Sequence, residues 1–463
     1  MSFFIRSAGS SKGAKRKVNG IASKFKGSKP KGKPSTKKDE DDESIASSDE
    51  EFAEEKHRNK KIEDYEQSDS EIEETAQEKR IRLANKYLEE IAEQERDRKE
   101  FEEGAIEKRL KEEYLEEKGR LRKVVANTYM GHGEPQILKC KDHKNSVTCV
   151  CLSNDGQFLF SGSKDGSLVK WSLSNRQKLK SLKGKTKNQD GLKCIRCIAI
   201  STDGKFLVVG AEGTKNITVL SASDFSHIKD LQGHRDIVSG LVFRKNTHTL
   251  YSASLDRCVK VWNLDEMAYV ESLFGHQSSI TSIDALARER AITSGGYECT
   301  IKIWKIVEES QLTYNGHTGS IDAVKLINEE NFLSCGDDGQ LCLWGCMKKK
   351  PLCTIREAHG RDEENKLPMW ISSIATFLNT DLVASGSRDG VIRLWRCGES
   401  FRSLEPLFDV KVTGFVNSLV FTPDGKYLIA GIGQEHKLGR WWRVPEAKNS
   451  IAIIPLIQNK EGT

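Results

Sequence analysis

Short runs of alternating apolar and polar residues fill the chain from about residue 135 onward. One stretch, Ser161–Trp171, combines a small-residue start, an acidic turn and an alternating run that ends on tryptophan. The same arrangement returns at Ser252–Trp262, Ser294–Trp304, Ser334–Trp344 and Ser385–Trp395. Alternation with a period of two predicts β-strands, because successive side chains of a strand point to opposite faces. Recurrence at a nearly fixed spacing predicts a repeat architecture.

A histidine precedes each tryptophan at a regular distance. The separations are 28, 28, 28, 27 and 36 residues for the pairs His143 and Trp171, His234 and Trp262, His276 and Trp304, His317 and Trp344, and His359 and Trp395. The last pair carries an insertion at 360–369. The gap between the first and second tryptophans leaves room for one more repeat, in which Leu220 takes the tryptophan position. A final copy runs through Thr422–Gly425 to Trp441 or Trp442, which makes seven repeats.

This combination of period, Gly-His start and tryptophan end resembles the WD-repeat family. The resemblance covers residues 136–442 and implies an all-β fold, a seven-bladed β-propeller with four strands per blade. We expect the propeller domain at 136–445, a C-terminal extension at 446–463, and a closing strand at 136–140 that completes blade seven. Residues 451–456 are a possible additional edge strand.

Residues 75–123 have a helical pattern. Proline is absent, and Ile81, Ala84, Leu88 and Ile91 recur at three- and four-residue steps to form one apolar stripe. We predict one or two long charged helices that dock on a partner or on the following domain. A partly melted linker is the alternative.

The first 74 residues predict a disordered tail. Residues 1–38 carry twelve Lys or Arg and no acid, and residues 39–55 carry ten Asp or Glu and no base. Such blocks cannot bury enough apolar surface to fold and often act as interaction tails. The basic block fits a nuclear import signal, for which the candidates are Lys15, Arg16, Lys17, Lys37 and Lys38. A nucleic-acid patch and a plain solubilising tail are the alternatives. Serines that precede acids in 47–70 suit acid-directed kinases, although an unmodified spacer remains open.

Composition narrows the class of protein further. No apolar run is long enough to span a bilayer, and the first residues lack the apolar core of a secretory signal. The twelve cysteines lie mostly in predicted strands and fit buried thiols in a reducing compartment. We therefore expect neither a membrane association nor a disulfide framework.

Each histidine is followed by an acidic residue, an arrangement that invites a catalytic interpretation. The pairs are His143 and Asp165, His234 and Asp256, His276 and Glu298, His317 and Asp338, and His359 and Asp389. A catalytic pair is needed once, whereas these recur blade by blade. In WD-repeat proteins, a histidine, a turn aspartate, a strand serine or threonine and the tryptophan form a buried hydrogen-bond chain, so the resemblance implies a structural role.

No other motif predicts a catalytic or metal-binding site. Cys194 and Cys197 form a CxxC pair, but no second pair stands at a zinc-ligand spacing, and strand positions three apart face opposite sides. The chain contains neither a P-loop nor a nucleophile elbow. We expect no enzyme activity, metal, cofactor or small-molecule substrate.

The propeller predicts a binding face, because its loops carry function on a rigid frame. The histidine loops and the aspartate loops lie on one face of this fold. Basic residues stand beside both sets of landmarks and predict a positive ring that suits phosphate or an acidic partner: Lys144, Lys164, Arg235, Arg257, Arg361 and Arg388. The runs Lys183–Lys187 and Lys348–Lys350 are further candidates.

One combination resembles a narrower family. A basic tail, an acidic serine block and the segment Glu74–Leu88 stand before a seven-bladed propeller that contains Trp370–Ile374 and ends near Gly439–Trp442. This order is similar to the WD-repeat component of the U3 small nucleolar ribonucleoprotein. The resemblance implies a nuclear, nucleolar, non-enzymatic scaffold that joins U3 small nucleolar RNA and a kink-turn-binding protein, with other small-subunit processome proteins, in ribosomal RNA processing.

The alternative that remains from the residues alone is a protein-only WD-repeat adaptor, such as a ubiquitin ligase substrate receptor or a chromatin peptide reader. A reader of cationic peptides has an acidic or aromatic central socket, and the expected basic face favours RNA over that function.

Overall fold

The computed structural model describes residues 76–96, 105–117, 119–139, 141–184, 191–362 and 365–459. The predicted import residues and the acidic serine block lie outside these residues. The predicted helical segment contains two helices, α1 (Ala76–Arg96) and α2 (Ala105–Glu117). By internal contacts the chain divides into Met1–Tyr87 and Leu88–Thr463. No helix in the described ranges is long and apolar enough to cross a membrane.

The described strands form seven antiparallel sheets, which confirms the predicted seven-bladed propeller. Two short strands, β1 (Tyr129–His132) and β2 (Gln136–Lys139), come first. Six four-stranded blades follow in chain order. Blade one contains β3 (Val147–Leu152), β4 (Phe158–Ser163), β5 (Leu168–Ser172) and β6 (Gln177–Leu182). Blade two contains β7 (Ile195–Ile200), β8 (Phe206–Ala211), β9 (Ile217–Ser221) and β10 (His227–Leu231). Blade three contains β11 (Val238–Phe243), β12 (Thr249–Ser254), β13 (Cys258–Asn263) and β14 (Ala268–Phe274).

The next three blades have the same strand order. Blade four contains β15 (Ile280–Asp284), β16 (Arg290–Gly295), β17 (Thr300–Lys305) and β18 (Ser310–Asn315). Blade five contains β19 (Ile321–Leu326), β20 (Asn331–Gly336), β21 (Leu341–Gly345) and β22 (Cys353–Ile355). Blade six contains β23 (Ile371–Thr376), β24 (Leu382–Ser387), β25 (Val391–Cys397) and β26 (Leu404–Lys411). Two single-turn 3-10 helices, Ala126–Thr128 and Glu399–Phe401, lie outside the sheets.

Blade seven differs from the prediction in its third strand. It contains β27 (Phe415–Phe421), β28 (Tyr427–Gly433) and β29 (Ser450–Gln458), and β29 pairs on its outer edge with both β1 and β2. The closing strand at 136–140 is therefore present as β2. The domain boundary expected at residue 445 is wrong, because residues 451–456 lie inside the third strand of the blade and are mostly buried. The tryptophans expected to end this repeat lie in the loop between β28 and β29.

The strand pattern explains where the core lies. Apolar side chains of the middle strands pack between neighbouring blades, as Leu159, Leu207 and Leu250 show with no exposed surface. In blade two, Leu220 occupies the place of the usual tryptophan and is 3% exposed. Burial of these alternating positions from both sides is the main source of stability.

The loops of the ring form two faces. Loops between blades, and loops between the second and third strands of each blade, lie on one face, which we call the His–Asp face. Loops between the first and second strands, and between the third and fourth, lie on the opposite face, which we call the turn face. This division follows from the antiparallel order of the strands in each blade.

The segment from α2 to β1 docks on the turn face of the chain's own propeller. Glu116 forms an ion pair with Lys245 in blade three, with 3.2 Å between the carboxylate and the ammonium. The Arg122 guanidinium donates to the carbonyl of Gly398 at 2.9 Å. The buried Asp381 carboxylate accepts hydrogen bonds from the backbone N–H groups of Val125 at 2.8 Å and Ala126 at 2.9 Å. Of the two docking possibilities left open, the contacts favour the following domain for this part of the segment.

Replacement of Asp381 by alanine is expected to detach the segment from α2 to β1 from the turn face. The backbone N–H groups of Val125 and Ala126 lose their acceptor, which lowers the free energy of unfolding by about 2–3 kcal/mol. Urea denaturation should show the loss, and limited proteolysis should show faster cleavage at Arg122 and Lys123. The control is Asp409→Ala, at a side chain that is 52% exposed and pairs weakly with Arg393. Unchanged unfolding and unchanged cleavage of the Asp381 variant would contradict this role.

Candidate functional site

The recurring polar residues form a buried hydrogen-bond chain in blade three. His234 shares a hydrogen bond through Nδ1 with Asp256 at 2.9 Å and through Nε2 with the Ser252 hydroxyl at 2.8 Å. The Trp262 indole N–H donates to the same hydroxyl at 2.8 Å. Every member is buried or nearly so, and the chain links one blade loop to two strands of the same blade. Such satisfied buried networks fix the packing of a core.

Four other blades repeat the chain with small changes. In blade one, Ser167 stands between the histidine and Asp165, because His143 Nδ1 lies 2.6 Å from the Ser167 hydroxyl. In blade four, Thr293 replaces the serine and bonds both His276 and Trp304. Blades five and six follow blade three through the sets His317, Asp338, Ser334 and Trp344, and His359, Asp389, Ser385 and Trp395. The recurrence favours architecture over catalysis.

Asp256 also positions two loops of the His–Asp face. Its carboxylate accepts the backbone N–H of Arg235 at 2.9 Å and that of Cys258 at 3.0 Å. Burial opposes its ionisation, but the bonds from His234 and from these N–H groups lower its pKa to about 2. The ionised carboxylate thereby fixes the backbone at Arg235 and directly after Arg257.

Arg235 and Arg257 border a crevice of about 390 Å³ between blades three and four. Lys260 and Phe274 line it as well, and we call these four residues the arginine crevice. Both arginines are exposed, and neither forms an ion pair within the described ranges. The Lys260 ammonium donates to the Ser272 hydroxyl at 2.6 Å, and the Phe274 ring is 70% exposed.

Of the other predicted cations, some are exposed without an ion pair to a described residue and others already pair with a carboxylate. Lys144 is exposed, as the arginines are. Lys164 pairs with Glu435, Arg388 pairs with Asp362, and Arg361 pairs with Glu357. Lys348–Lys350 are exposed but stand in the loop after β21, on the turn face. Of the other run, Lys183 is described and exposed, whereas residues 185–187 lie outside the described residues.

The positive ring is therefore incomplete. Three of its six members already have carboxylate partners, and the open cations include the two that share one crevice. The sequence analysis did not single out Lys260 and Phe274, which line the same crevice. The position of Phe274 directly before a Gly-His pair was the available signal, since that position begins a loop of the His–Asp face.

The cysteines have no metal geometry. No group of three or more histidine, cysteine or acidic residues in the described ranges could hold a metal ion. Burial raises the pKa of the Cys194 thiol to about 11 and raises that of Cys197 further. Buried neutral thiols are poor ligands and poor nucleophiles, which favours packing for the CxxC pair.

Comparison with known proteins agrees with the repeat pattern. The WD domain, G-beta repeat family matches residues 134–172, 225–263, 268–305, 308–345 and 361–396. U3 small nucleolar RNA-interacting protein 2 of Homo sapiens is 46% identical over 394 residues, which cover 83% of each chain. Ribosomal RNA-processing protein 9 of Saccharomyces cerevisiae is 26% identical over 448 residues, which cover 75% of this chain and 78% of the relative.

Two solved structures are also similar. The structure of U3-55K has a TM-score of 0.67 and 50% sequence identity, and the match covers 70% of this chain and 98% of that one. The crystal structure of RRP9 WD40 repeats has a TM-score of 0.68 and 49% identity, and the match covers 71% and 99% of the two chains.

Proposed function

Because the chain belongs to the family of WD-repeat components of the U3 small nucleolar ribonucleoprotein, we propose that it binds U3 small nucleolar RNA together with a kink-turn-binding protein, as a non-enzymatic scaffold. Family membership gives the chain a role in the U3 ribonucleoprotein and in ribosomal RNA processing. A nucleolar location and contacts with other small-subunit processome proteins belong to the same proposal.

The arginine crevice is the observation that carries the RNA contact. Guanidinium groups bind phosphate oxygens in a bidentate geometry, and Arg235 and Arg257 form no ion pair with a described residue that would have to be displaced. The ring of Phe274 is exposed beside them and can stack on an unpaired base. A crevice of about 390 Å³ fits one or two nucleotides rather than a length of duplex.

The small size of the arginine crevice supports recognition of RNA together with a bound protein rather than RNA alone. Affinity for nucleic acid grows with the number of phosphates neutralised, and this crevice offers two arginines and one lysine. Few contacts give weak binding to RNA alone. A protein already seated on the RNA adds a second surface and presents a kinked shape that a duplex lacks.

The test compares three ligands on the full-length chain: a U3 RNA fragment with the kink-turn-binding protein, the same fragment alone, and a duplex of equal length. We expect the composite to bind at least roughly tenfold more tightly than either RNA, with a salt dependence that reflects few phosphate contacts. Equal affinity for the duplex would overturn the proposal. Persistence of the large complex after nuclease treatment of an extract would instead favour the protein-only adaptor.

A further inference from the structure

A recess of the His–Asp face lies at the mouth of the propeller axis. The first strands of all seven blades line an axial cavity of about 680 Å³. A second recess of about 460 Å³ adjoins it, and the two share Tyr297, Asp337, Trp370 and Trp441. We call these four residues the axial socket. They come from blades four to seven, whereas the arginine crevice lies between blades three and four.

Aromatic rings form the walls of the axial socket. Tyr297 is 82% exposed and Trp441 is 62% exposed, large fractions for side chains of this size. The ring centroid of Trp370 lies 5.8 Å from that of Trp441 and 4.0 Å from that of the buried His436. Exposed aromatic faces gathered around a recess mark a binding surface.

The loop that carries Trp441 is held in place. The backbone N–H of Glu435 donates to the Ser146 hydroxyl at 3.0 Å, and the N–H of Lys437 donates to the Asn417 side chain at 2.9 Å. The Trp441 ring lies directly over Gly439, since a β-carbon at this position would lie only 2.8 Å from the ring. The exposed tryptophan is therefore preorganised, which lowers the entropy lost on binding.

The charges around the axial socket leave a carboxylate without a cation. Lys164 and Arg440 both pair with Glu435, and Arg388 pairs with Asp362. Asp337 is exposed and forms no ion pair with any described residue. Partial burial and the neighbouring Asp338 raise the pKa of Asp337, so its charged form gains from a nearby cation.

We propose that the axial socket binds an arginine or lysine side chain presented by a segment of a partner protein. Aromatic faces attract cations through their quadrupoles, and Asp337 supplies the opposite charge beside Tyr297 and Trp441. RNA is the poorer occupant, because Lys164, Arg388 and Arg440 already pair with carboxylates and the open carboxylate of Asp337 repels phosphate. Lys437, which also lines the axial cavity, donates to the carbonyl of Ser372 at 2.8 Å. The proposal does not depend on RNA binding at the arginine crevice.

Two fluorescein-labelled pentapeptides test the proposal on the full-length chain. One has the sequence Gly-Ala-Arg-Ala-Gly, and the other replaces arginine by citrulline, an uncharged side chain of almost the same shape. A third peptide with lysine distinguishes the two cations. Fluorescence polarisation should show binding about tenfold tighter for arginine or lysine than for citrulline.

Variants locate the binding. Asp337→Asn and Tyr297→Ala should each reduce the preference for the cation by about fivefold or more, whereas Tyr297→Phe keeps the ring face and should keep the preference. Glu266→Gln removes one exposed negative charge from the turn face and serves as the matched control. Because Asp337 and Tyr297 are exposed, thermal unfolding should be unchanged in all four variants.

Three results with the peptides would overturn the proposal. They are equal binding of the arginine and citrulline peptides, an unchanged preference in Asp337→Asn, and no measurable binding of any peptide at millimolar concentration. Loss of hexauridylate binding in Tyr297→Ala without loss of peptide binding would make the recess an RNA surface and would also overturn it. None of these results bears on the arginine crevice, so the two sites fail separately.

Discussion

Charge reversal of both crevice arginines, Arg235→Glu with Arg257→Glu, is expected to weaken binding of the U3 RNA–protein composite about 100-fold at 0.1 M salt. Each lost charge-assisted contact with phosphate costs about 1.5–3 kcal/mol before screening, and each glutamate adds repulsion. A hundredfold change corresponds to about 2.7 kcal/mol, so two screened contacts suffice.

The loss should appear in binding and not in folding. Both arginines are exposed, and their side chains form no ion pair with a described residue, so reversal breaks no ion pair within the described ranges. Asp256 holds the two loops through backbone N–H groups of Arg235 and Cys258, which the double variant retains. The free energy of unfolding should therefore stay within about 0.5 kcal/mol of the unmodified chain.

The salt dependence separates a local contact from a general charge effect. The slope of log affinity against log salt should fall in magnitude by about 1.5 if two phosphate contacts are lost. The matched control is Lys348→Glu with Lys349→Glu, which changes the net charge equally at exposed positions of the turn face. Equal losses in the two double variants would mean that net charge alone governs binding and would contradict a site at the crevice.

The sequence predicted the blades well because strand periodicity and turn chemistry are local. Even the blade without a tryptophan could be placed, since Leu220 has the same spacing and fills the same buried position. The spacing of histidine and acid also placed both groups on one face. Each of these inferences depends on residues separated by less than one repeat.

The error in blade seven has a physical cause. Trp441 and Trp442 lie at the spacing expected for the tryptophan that ends the third strand of a repeat. The sequence pattern therefore predicted a strand end at this position. The actual strand, β29, begins at Ser450, after a loop whose hydrogen bonds are made with distant residues such as Ser146 and Asn417. A loop insertion and a strand end look alike when these partners are unknown.

Side-chain pairing was the other unpredictable part. Lys164 and Glu435 are separated by 271 positions, and Arg388 and Asp362 by 26, yet both pairs form across loops of the His–Asp face. The pairing removes Lys164, Arg361 and Arg388 from the predicted ring. Asp337 lies in the recess that Arg388 and Asp362 also line, and it forms no ion pair with a described residue. Repeat position gives the face on which a residue lies, but its partner depends on the neighbouring blade.

Replacement of Asp256 by asparagine is expected to lower the free energy of unfolding by about 2–3 kcal/mol at neutral pH. The carboxylate accepts three hydrogen bonds, from the His234 ring and two backbone N–H groups, and its side chain is only 7% exposed. Asparagine has one acceptor oxygen and directs its amide N–H₂ toward a donor that was previously satisfied. Bonds to a charged, buried acceptor are the ones whose loss is most costly.

The pH dependence of the unfolding free energy tests whether the negative charge of Asp256 causes this stabilisation. The folded pKa of Asp256 is about 2, below the usual value of 3.8. A lowered folded pKa means that the stabilisation is fully present above about pH 4 and disappears as the pH falls toward 2. The difference in unfolding free energy between the unmodified chain and Asp256→Asn should therefore shrink over this interval, while remaining constant from pH 5 to 8.

Urea denaturation at stepped pH measures this difference, with Asp230→Asn, on an exposed outer strand, as the control for removal of one carboxylate. Because Asp256 also anchors the Arg235 loop, its variant should lose both stability and RNA affinity, whereas the arginine double variant should lose affinity alone. Lost affinity with unchanged unfolding would make Asp256 a direct contact and would contradict the structural role of the repeated His–Asp pairs.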